Sequence, residues 1–403
     1  MSDTTPDAPW LTIIGLGEDA PDGLSGASLA ALKAAEIIMG PPRHLALLPD
    51  LAAEQIAWPV PFSAGVPVLL SLRRRRVVVL ASGDPFWFGA GSTVCKELDA
   101  GEWTALPGPS TFSLAAARLG WALQHTACFG LHAAPLSRLR PALAPGARMI
   151  VLLRDGEAVT EIAGYLTDAG FGASDLHVFE ALGGPRERRG DLTAHAITGS
   201  SFSHPVCCGI RVRGEGAVLT RASGRPDDWF ESDGTMTKQP VRALTLSALA
   251  PRDGEHLWDI GGGSGSVCIE WLLSHPSLTA ATIEPRADRS ERIRANADRL
   301  GQDRLQIVTG EAPDALAGLP PPDAVFIGGG LSEDLLAWLA GNLAPGTRIV
   351  ANAVTLESET VLVRAHAARG GTLLRFEMSR AAPLGKRTGW KAAYPLVQWS
   401  VAL

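Results

Sequence analysis

The sequence predicts an α/β protein of two domains, the first made of two α/β units and the second of one. Short apolar runs alternate with Gly- or Pro-containing turns and helix-like stretches along most of the 403 residues, the pattern of strands joined by helices. At roughly 150 residues per domain the chain is too long for one core. Between Arg221 and Met236 the alternation breaks into Gly, Pro and acidic residues without periodicity, as a linker does. The expected domains are 1–225 and 226–403.

In the first domain Trp10 to Ile14 reads as a strand ended by Gly15-Leu16-Gly17. Leu24 to Ile38 reads as a helix, with Ser25 as N-cap and Leu29, Leu32 and Ala35 turned inward. Val77 to Ala81 is an apolar strand running into Ser82-Gly83-Asp84-Pro85, and Arg73 to Arg76 just before it suit a solvated helix end. After Pro107-Gly108-Pro109-Ser110 a helix spans Thr111 to Leu119. The second unit has strands at Met149–Leu153, Leu176–Glu180 and Val206–Val212, with a helix at Ala158–Ala169.

In the second domain the apolar strand Glu255–Ile260 runs into Gly261-Gly262-Gly263-Ser264-Gly265, and a helix follows at Val267–Leu273. Thr279 to Ile283 is a strand ending at Glu284. Leu305–Val308, Asp323–Gly329 and Leu343–Val350 supply three further strands with their turns, the first followed by Gly310-Glu311-Ala312-Pro313.

Composition excludes several classes. A net charge of −6 argues against a general nucleic-acid binder, which carries a basic excess. Met1 to Pro9 has two acids, no Lys or Arg and no apolar core, so it does not read as a secretory signal. No run reaches the roughly 18 apolar residues of a membrane helix. The cysteines (Cys95, Cys128, Cys207, Cys208, Cys268) lack metal spacing, and Cys207-Cys208 reads as a buried strand pair rather than a redox pair. No metal site is expected, and a reduced cytoplasmic enzyme fits.

The chemistry concentrates in the glycine loop. Glycines after a strand let backbone approach a ligand closely, and the helix behind them offers free N–H groups. Dinucleotide enzymes share that logic. Here, however, Ser266 stands where their pattern takes Gly or Ala, and Asp259, two residues before the first glycine, is placed to hold the amino-acid end of a cofactor. Glu284 can accept bonds from two ribose hydroxyls, which fits either cofactor. Over about 165 residues the order and spacing of these segments resemble class I methyltransferases, with their Rossmann-like fold. That resemblance implies S-adenosylmethionine held by Asp259, Gly261, Gly262, Gly263, Ser264, Gly265 and Glu284, with Glu311 and Ala312 at the adenine.

In the first domain three loops each follow an apolar strand: Gly15-Leu16-Gly17-Glu18-Asp19, Gly83-Asp84-Pro85 and Pro107-Gly108-Pro109-Ser110-Thr111. As an ordered set, over roughly residues 10–215, they resemble the tetrapyrrole methylases, whose fold has two α/β units. Glu18-Asp19 departs from that family's commoner Gly-x-Gly-Pro-Gly. The resemblance implies a second S-adenosylmethionine site at Gly15, Gly17, Gly83, Asp84, Pro85, Ser110 and Thr111. A non-catalytic binding module is the alternative for this half.

A tetrapyrrole methylase fused to a class I methyltransferase resembles the corrin-ring methyltransferases of cobalamin biosynthesis. Supporting segments are Gly40-Pro41-Pro42-Arg43-His44-Leu45, Leu182-Gly183-Gly184-Pro185-Arg186-Glu187-Arg188 and Asp233-Gly234-Thr235-Met236-Thr237-Lys238, the last placing Thr237 at the cofactor. The resemblance implies methylation of a precorrin-6 macrocycle at carbons 5 and 15, loss of the ring C acetate carboxyl, and a homo-oligomer. In-line methyl transfer to an enamine-like carbon needs alignment rather than a strong base, so no catalytic residue is singled out. A substrate rich in carboxylates calls for cations; the candidates are Lys238, Arg242, Lys386, Arg387 and Lys391. Trp390 is a candidate for packing on a macrocycle face.

Overall fold

The structure, a computed structural model, describes residues 9–197 and 201–403; the N-terminal stretch read above as lacking a signal lies outside the described residues up to Ala8. The chain forms two compact units, one comprising the residues up to Ala134 with Ala142–Ala217, the other Pro135–Pro141 with Val218–Leu403.

In the first unit β1 (Leu11–Leu16), β2 (Ile37–Gly40), β3 (Glu54–Ala57), β4 (Val77–Ser82) and β5 (Trp103–Leu106) make a parallel sheet in the order β3-β2-β4-β1-β5. β1 and β4 are buried on both faces, hence their near-continuous apolar runs. The helix Gly26–Ala34 is capped by Ser25, whose Oγ accepts the Ser28 N–H at 3.1 Å. It stops short of Ile38, because Ile37, Ile38 and Met39, each at most 1% exposed, enter the sheet as β2. A short buried apolar run carries no periodicity to separate strand from helix.

The same unit holds a mixed sheet of β6 (Ala127–Gly130), β7 (Arg148–Leu152), β8 (Asp175–Glu180), β9 (Arg188–Thr193) and β10 (Val206–Arg211), in the order β6-β7-β10-β8-β9. β10 runs antiparallel to both neighbours. The helix Thr111–Leu119, capped by Ser110, buries Phe112 and Ala115 against this sheet's Ile150, Phe179 and Cys207. The arginines before β4 are exposed, and Arg73 pairs with Glu102 and Arg75 with Glu36.

In the second unit β11 (His256–Ile260), β12 (Thr279–Glu284), β13 (Gln306–Thr309), β14 (Ala324–Ile327), β15 (Arg348–Ala353) and β16 (Thr372–Phe376) are followed by a hairpin, β17 (Ser379–Leu384) and β18 (Arg387–Ala392), and by β19 (Leu396–Ala402). The main sheet has the order β13-β12-β11-β14-β15-β19-β16, with β19 antiparallel to both neighbours. The strand order reverses at β11, so a crevice opens outside the carboxyl ends of β11 and β14. One face packs around Trp271 and Phe326, the other around Trp258 and Trp399. Leu219 and Phe230 belong to the first of these cores, which draws the chain from Val218 onward into this unit and puts position 225/226 inside it.

Cys207 and Cys208 lie on β10 at 2% and 0% exposure. Burial pushes the Cys207 thiol up to about 12 and Cys208 higher still; Cys268 is also buried and raised by burial. These three thiols should resist DTNB at pH 8 in the native protein and react on unfolding in urea. Rapid native labelling of all five cysteines would contradict this placement.

Candidate functional site

In the second unit, β11 brings Asp259 and the glycine loop to the carboxyl edge of the sheet. Gly261 has φ +78°, and a Cβ there would lie 2.5 Å from the Gly329 nitrogen after β14, so only glycine lets these two strand ends meet. Gly263, at φ +59°, has nothing nearer than 3.7 Å in front of its missing Cβ. That open space belongs to a cavity of about 1130 Å³.

The cavity is lined by Thr237, Lys238, Asp259, Gly261, Gly262, Gly263, Ser264, Glu284, Glu311, Ala312 and Lys391 from the sequence reading. Gly265 sits behind it, where a Cβ would meet Ile293 at 2.8 Å. Lys386 and Arg387 are exposed at the hairpin tip and do not line it. Trp390 is 79% exposed and belongs to neither core cluster of this unit. Residues not anticipated from the sequence are Asn352, Met378, Arg380 and Tyr394. Asn352 follows an apolar run on β15, and its role is visible only in three dimensions: its Oδ1 accepts from Gln398 Nε2 at 2.9 Å, while its Nδ2 donates to Thr245 Oγ1 at 2.9 Å.

Two carboxylates mark the cavity's deep end. Glu284, 2% exposed, accepts the Gly263 N–H at 2.8 Å and the Arg286 N–H at 3.1 Å. Asp259 is 1% exposed, and its Oδ2 accepts the Cys268 N–H at 3.3 Å, whereas its Oδ1 has no hydrogen-bond partner among the described residues. Desolvation pushes the Asp259 carboxyl up to about 6, with the Glu284 charge adding to it. An unpaired buried acid facing a cavity is a ready acceptor for a cationic donor.

Arg242 corrects the sequence reading. Its side chain is fully buried rather than turned to a substrate: Nε donates to Glu270 at 2.7 Å, Nη1 to the Thr237 carbonyl at 2.5 Å, and Nη2 to the Arg225 carbonyl and to Asp227. Glu270 in turn accepts the N–H groups of Gly224 and Arg225 at 2.7 and 2.9 Å. The pair ties the segment before Thr237 to the helix Ser266–Ser274, and so fixes the cavity wall that Thr235, Met236 and Thr237 provide.

The first unit has a cavity of about 370 Å³ where its three loops meet. A Cβ on Gly15 would lie 1.8 Å from the Gly83 carbonyl oxygen. The Gly108 N–H donates to that oxygen at 3.0 Å, and the Gly83 N–H to Leu16 O at 2.9 Å. Gly17, Gly83, Asp84, Ser110 and Thr111 line the cavity. Gly15 supports it from behind, and Pro85 lies outside the lining, its carbonyl accepting the Gly91 N–H at 2.9 Å. Ser110 Oγ is engaged as the helix cap, accepting the Ser113 N–H at 3.1 Å.

Glu18, the departure in the first loop, is 9% exposed and takes ion pairs from Arg43 and from Arg186 at 3.1 Å. His44, 2% exposed, contacts Arg43 at 2.8 Å and Ser82 at 3.1 Å. Burial, then the Arg43 charge, pushes its imidazole down to about 3, so it stays neutral at physiological pH. The segments carrying Arg43-His44 and Arg186 thus meet the first loop.

Residues 10–197 match the family described as tetrapyrrole (corrin/porphyrin) methylases, and residues 228–403 match the precorrin methyltransferase domain. Among curated relatives, precorrin-6Y C(5,15)-methyltransferase [decarboxylating] of Sinorhizobium sp is 49% identical over 98% of this chain and 96% of its own length. The protein of the same name from Mycobacterium tuberculosis (strain ATCC 25618 / H37Rv) is 40% identical over 97% of this chain and 99% of its own. Among solved structures, the C-terminal domain of precorrin-6Y C5,15-methyltransferase from Rhodobacter capsulatus is 57% identical, covering 46% of this chain and all (100%) of that one, with a TM-score of 0.45.

Arg242 and Glu270 are both fully buried, and removing either breaks the buried charge network that they form with Arg225 and Asp227. Arg242→Ala or Glu270→Ala should cost about 3–5 kcal/mol in the second unit's urea transition. A loss under about 1 kcal/mol would assign the pair no such anchoring role.

Proposed function

The chain belongs to the precorrin-6Y C(5,15)-methyltransferase (decarboxylating) family, and we propose that it methylates a precorrin-6 macrocycle at ring carbons 5 and 15 and removes the carboxyl of the ring C acetate to give precorrin-8. The observation that carries this reading is buried Asp259 in the lining of a glycine-walled cavity, its Oδ1 without a partner among the described residues. Its partner is the amino group of S-adenosylmethionine. Glu284 holds the ribose hydroxyls and Glu311–Ala312 border the adenine. When bound, the cofactor supplies an electrophilic methyl group on a sulfonium.

Each unit holds one such site in this reading. The second unit serves carbon 15 and the decarboxylation, and the first serves carbon 5, its cofactor lying along the Gly17, Gly83–Asp84 and Ser110–Thr111 loops. The residues present fit a transfer governed by alignment. Gly263 leaves room for the cofactor, the Arg242–Glu270 pair fixes the wall at Thr237, and the Gln398–Asn352–Thr245 relay fixes an amide at the cavity. Preorganised backbone and side-chain dipoles of this kind need not reorganise during the reaction.

Asp259 sets a pH dependence. Its raised pKa means that the ionised form is disfavoured without ligand, so the folded protein loses stability as pH rises from about 4 through about 6. A cationic amino group favours the ionised form, so cofactor affinity at this site should rise as pH rises through about 6. Calorimetry between pH 5 and 8 should show that trend in the wild type and a flat profile in Asp259→Asn; parallel profiles would contradict the assignment. Glu284→Ala should weaken the same site by about 10- to 100-fold, and unchanged affinity would remove Glu284 from the ribose. For the reaction itself, mass spectrometry of product from a precorrin-6 substrate should show two methyl groups gained and one carbon dioxide lost. A single methylation without release of gas would overturn the full activity.

A further inference from the structure

We propose that Arg380 on β17 and Lys391 on β18 form a two-cation clamp for one peripheral carboxylate of the methyl acceptor. The two residues are direct cross-strand partners in the hairpin register. Such partners share one face of a ladder, their Cβ atoms about 4.5–5.5 Å apart, and both line the second unit's cavity. Like charges placed directly opposite destabilise a strand pair. Neither cation has an ion pair or side-chain hydrogen bond among the described residues.

Several other arginines of this unit are ion-paired, Arg289 of the cavity lining among them. Arg289 pairs with Asp233 at 2.8 Å, Arg375 with Glu377 at 3.4 Å, and Arg348 with Glu255 at 2.5 Å. The hairpin pair therefore stands out as repulsion left unrelieved at a cavity wall. A carboxylate bridging the two side chains removes it.

The cavity is polarised in the sense this assignment requires. Its buried end carries Asp259 and Glu284, which suit a cation, and its exposed hairpin side carries Arg380 and Lys391, which suit an anion. Met378 and the 87% exposed Tyr394 flank the two cations on the same lining, giving apolar and aromatic surface beside the charge. A flat, carboxylate-bearing ring system matches both features. The cofactor's own carboxylate is a competing ligand for the pair, and the experiment separates the two.

The inference rests on the proposed function for the acceptor's class, a macrocycle with several carboxylates. In the intact protein, Arg380→Ala and Lys391→Ala should each lower kcat/KM for the precorrin-6 acceptor by about 10- to 100-fold, chiefly through KM. The dissociation constant for S-adenosylhomocysteine should stay within about threefold. Arg380→Lys should recover most of the loss, because it keeps the charge. Unchanged acceptor KM in both alanine variants would overturn the clamp, as would a loss of S-adenosylhomocysteine affinity with acceptor KM preserved.

If the wild-type protein does not turn over precorrin-6, the functional reading fails by itself. The clamp is then tested by quenching of tryptophan fluorescence with uroporphyrin I, a tetrapyrrole octacarboxylate. Binding that weakens about tenfold or more in the Arg380→Ala, Lys391→Ala double variant supports the clamp, and equal binding overturns it.

Discussion

Backbone approaches that only glycine permits set the geometry on which both cavities depend. In the first unit a Cβ on Gly15 would lie 1.8 Å from the Gly83 carbonyl oxygen; in the second, a Cβ on Gly261 would lie 2.5 Å from the Gly329 nitrogen. Strand ends drawn this close put their loops at one edge of a parallel sheet, where an α/β fold opens its binding crevice. The apolar cores around Trp271 and Trp399 in the second unit and around β1 and β4 in the first hold those strands in register.

Around that frame, buried polar groups either fix walls or wait for a ligand. Arg242 and Glu270 satisfy each other and four neighbouring backbone groups, so they anchor rather than bind. Asp259 has the opposite character, with one oxygen paired and the other without a partner among the described residues, in a desolvated position. In the first unit Glu18 falls in the anchoring class through its two arginine partners. Its charge is accommodated because Arg43 and Arg186 reach it from two other segments.

Much of this was legible in the sequence, for identifiable reasons. The Gly261–Gly265 loop, Asp259 and Glu284 announce themselves because strand, turn and helix follow one another within a few residues. A buried strand such as β4, apolar from Val77 to Ala81, is easy to place. What was not legible depends on contacts distant in the chain. Arg242 looked like a substrate cation because its partner Glu270 lies 28 residues away on another helix. β3, β5 and β6 are four residues long, and β9 is polar, so neither length nor pattern separates them from turns. Arg380 carries no motif; its meaning comes from sitting opposite Lys391 across a hairpin.

The central claim is that one chain carries two separate cofactor sites, each built at its own glycine-closed sheet edge. Calorimetric titration of the intact protein with S-adenosylhomocysteine tests it most directly. The account predicts two sites per chain, of which Asp259→Asn at pH 7 weakens one and leaves the other unchanged. A single site per chain, abolished by Asp259→Asn, would contradict it.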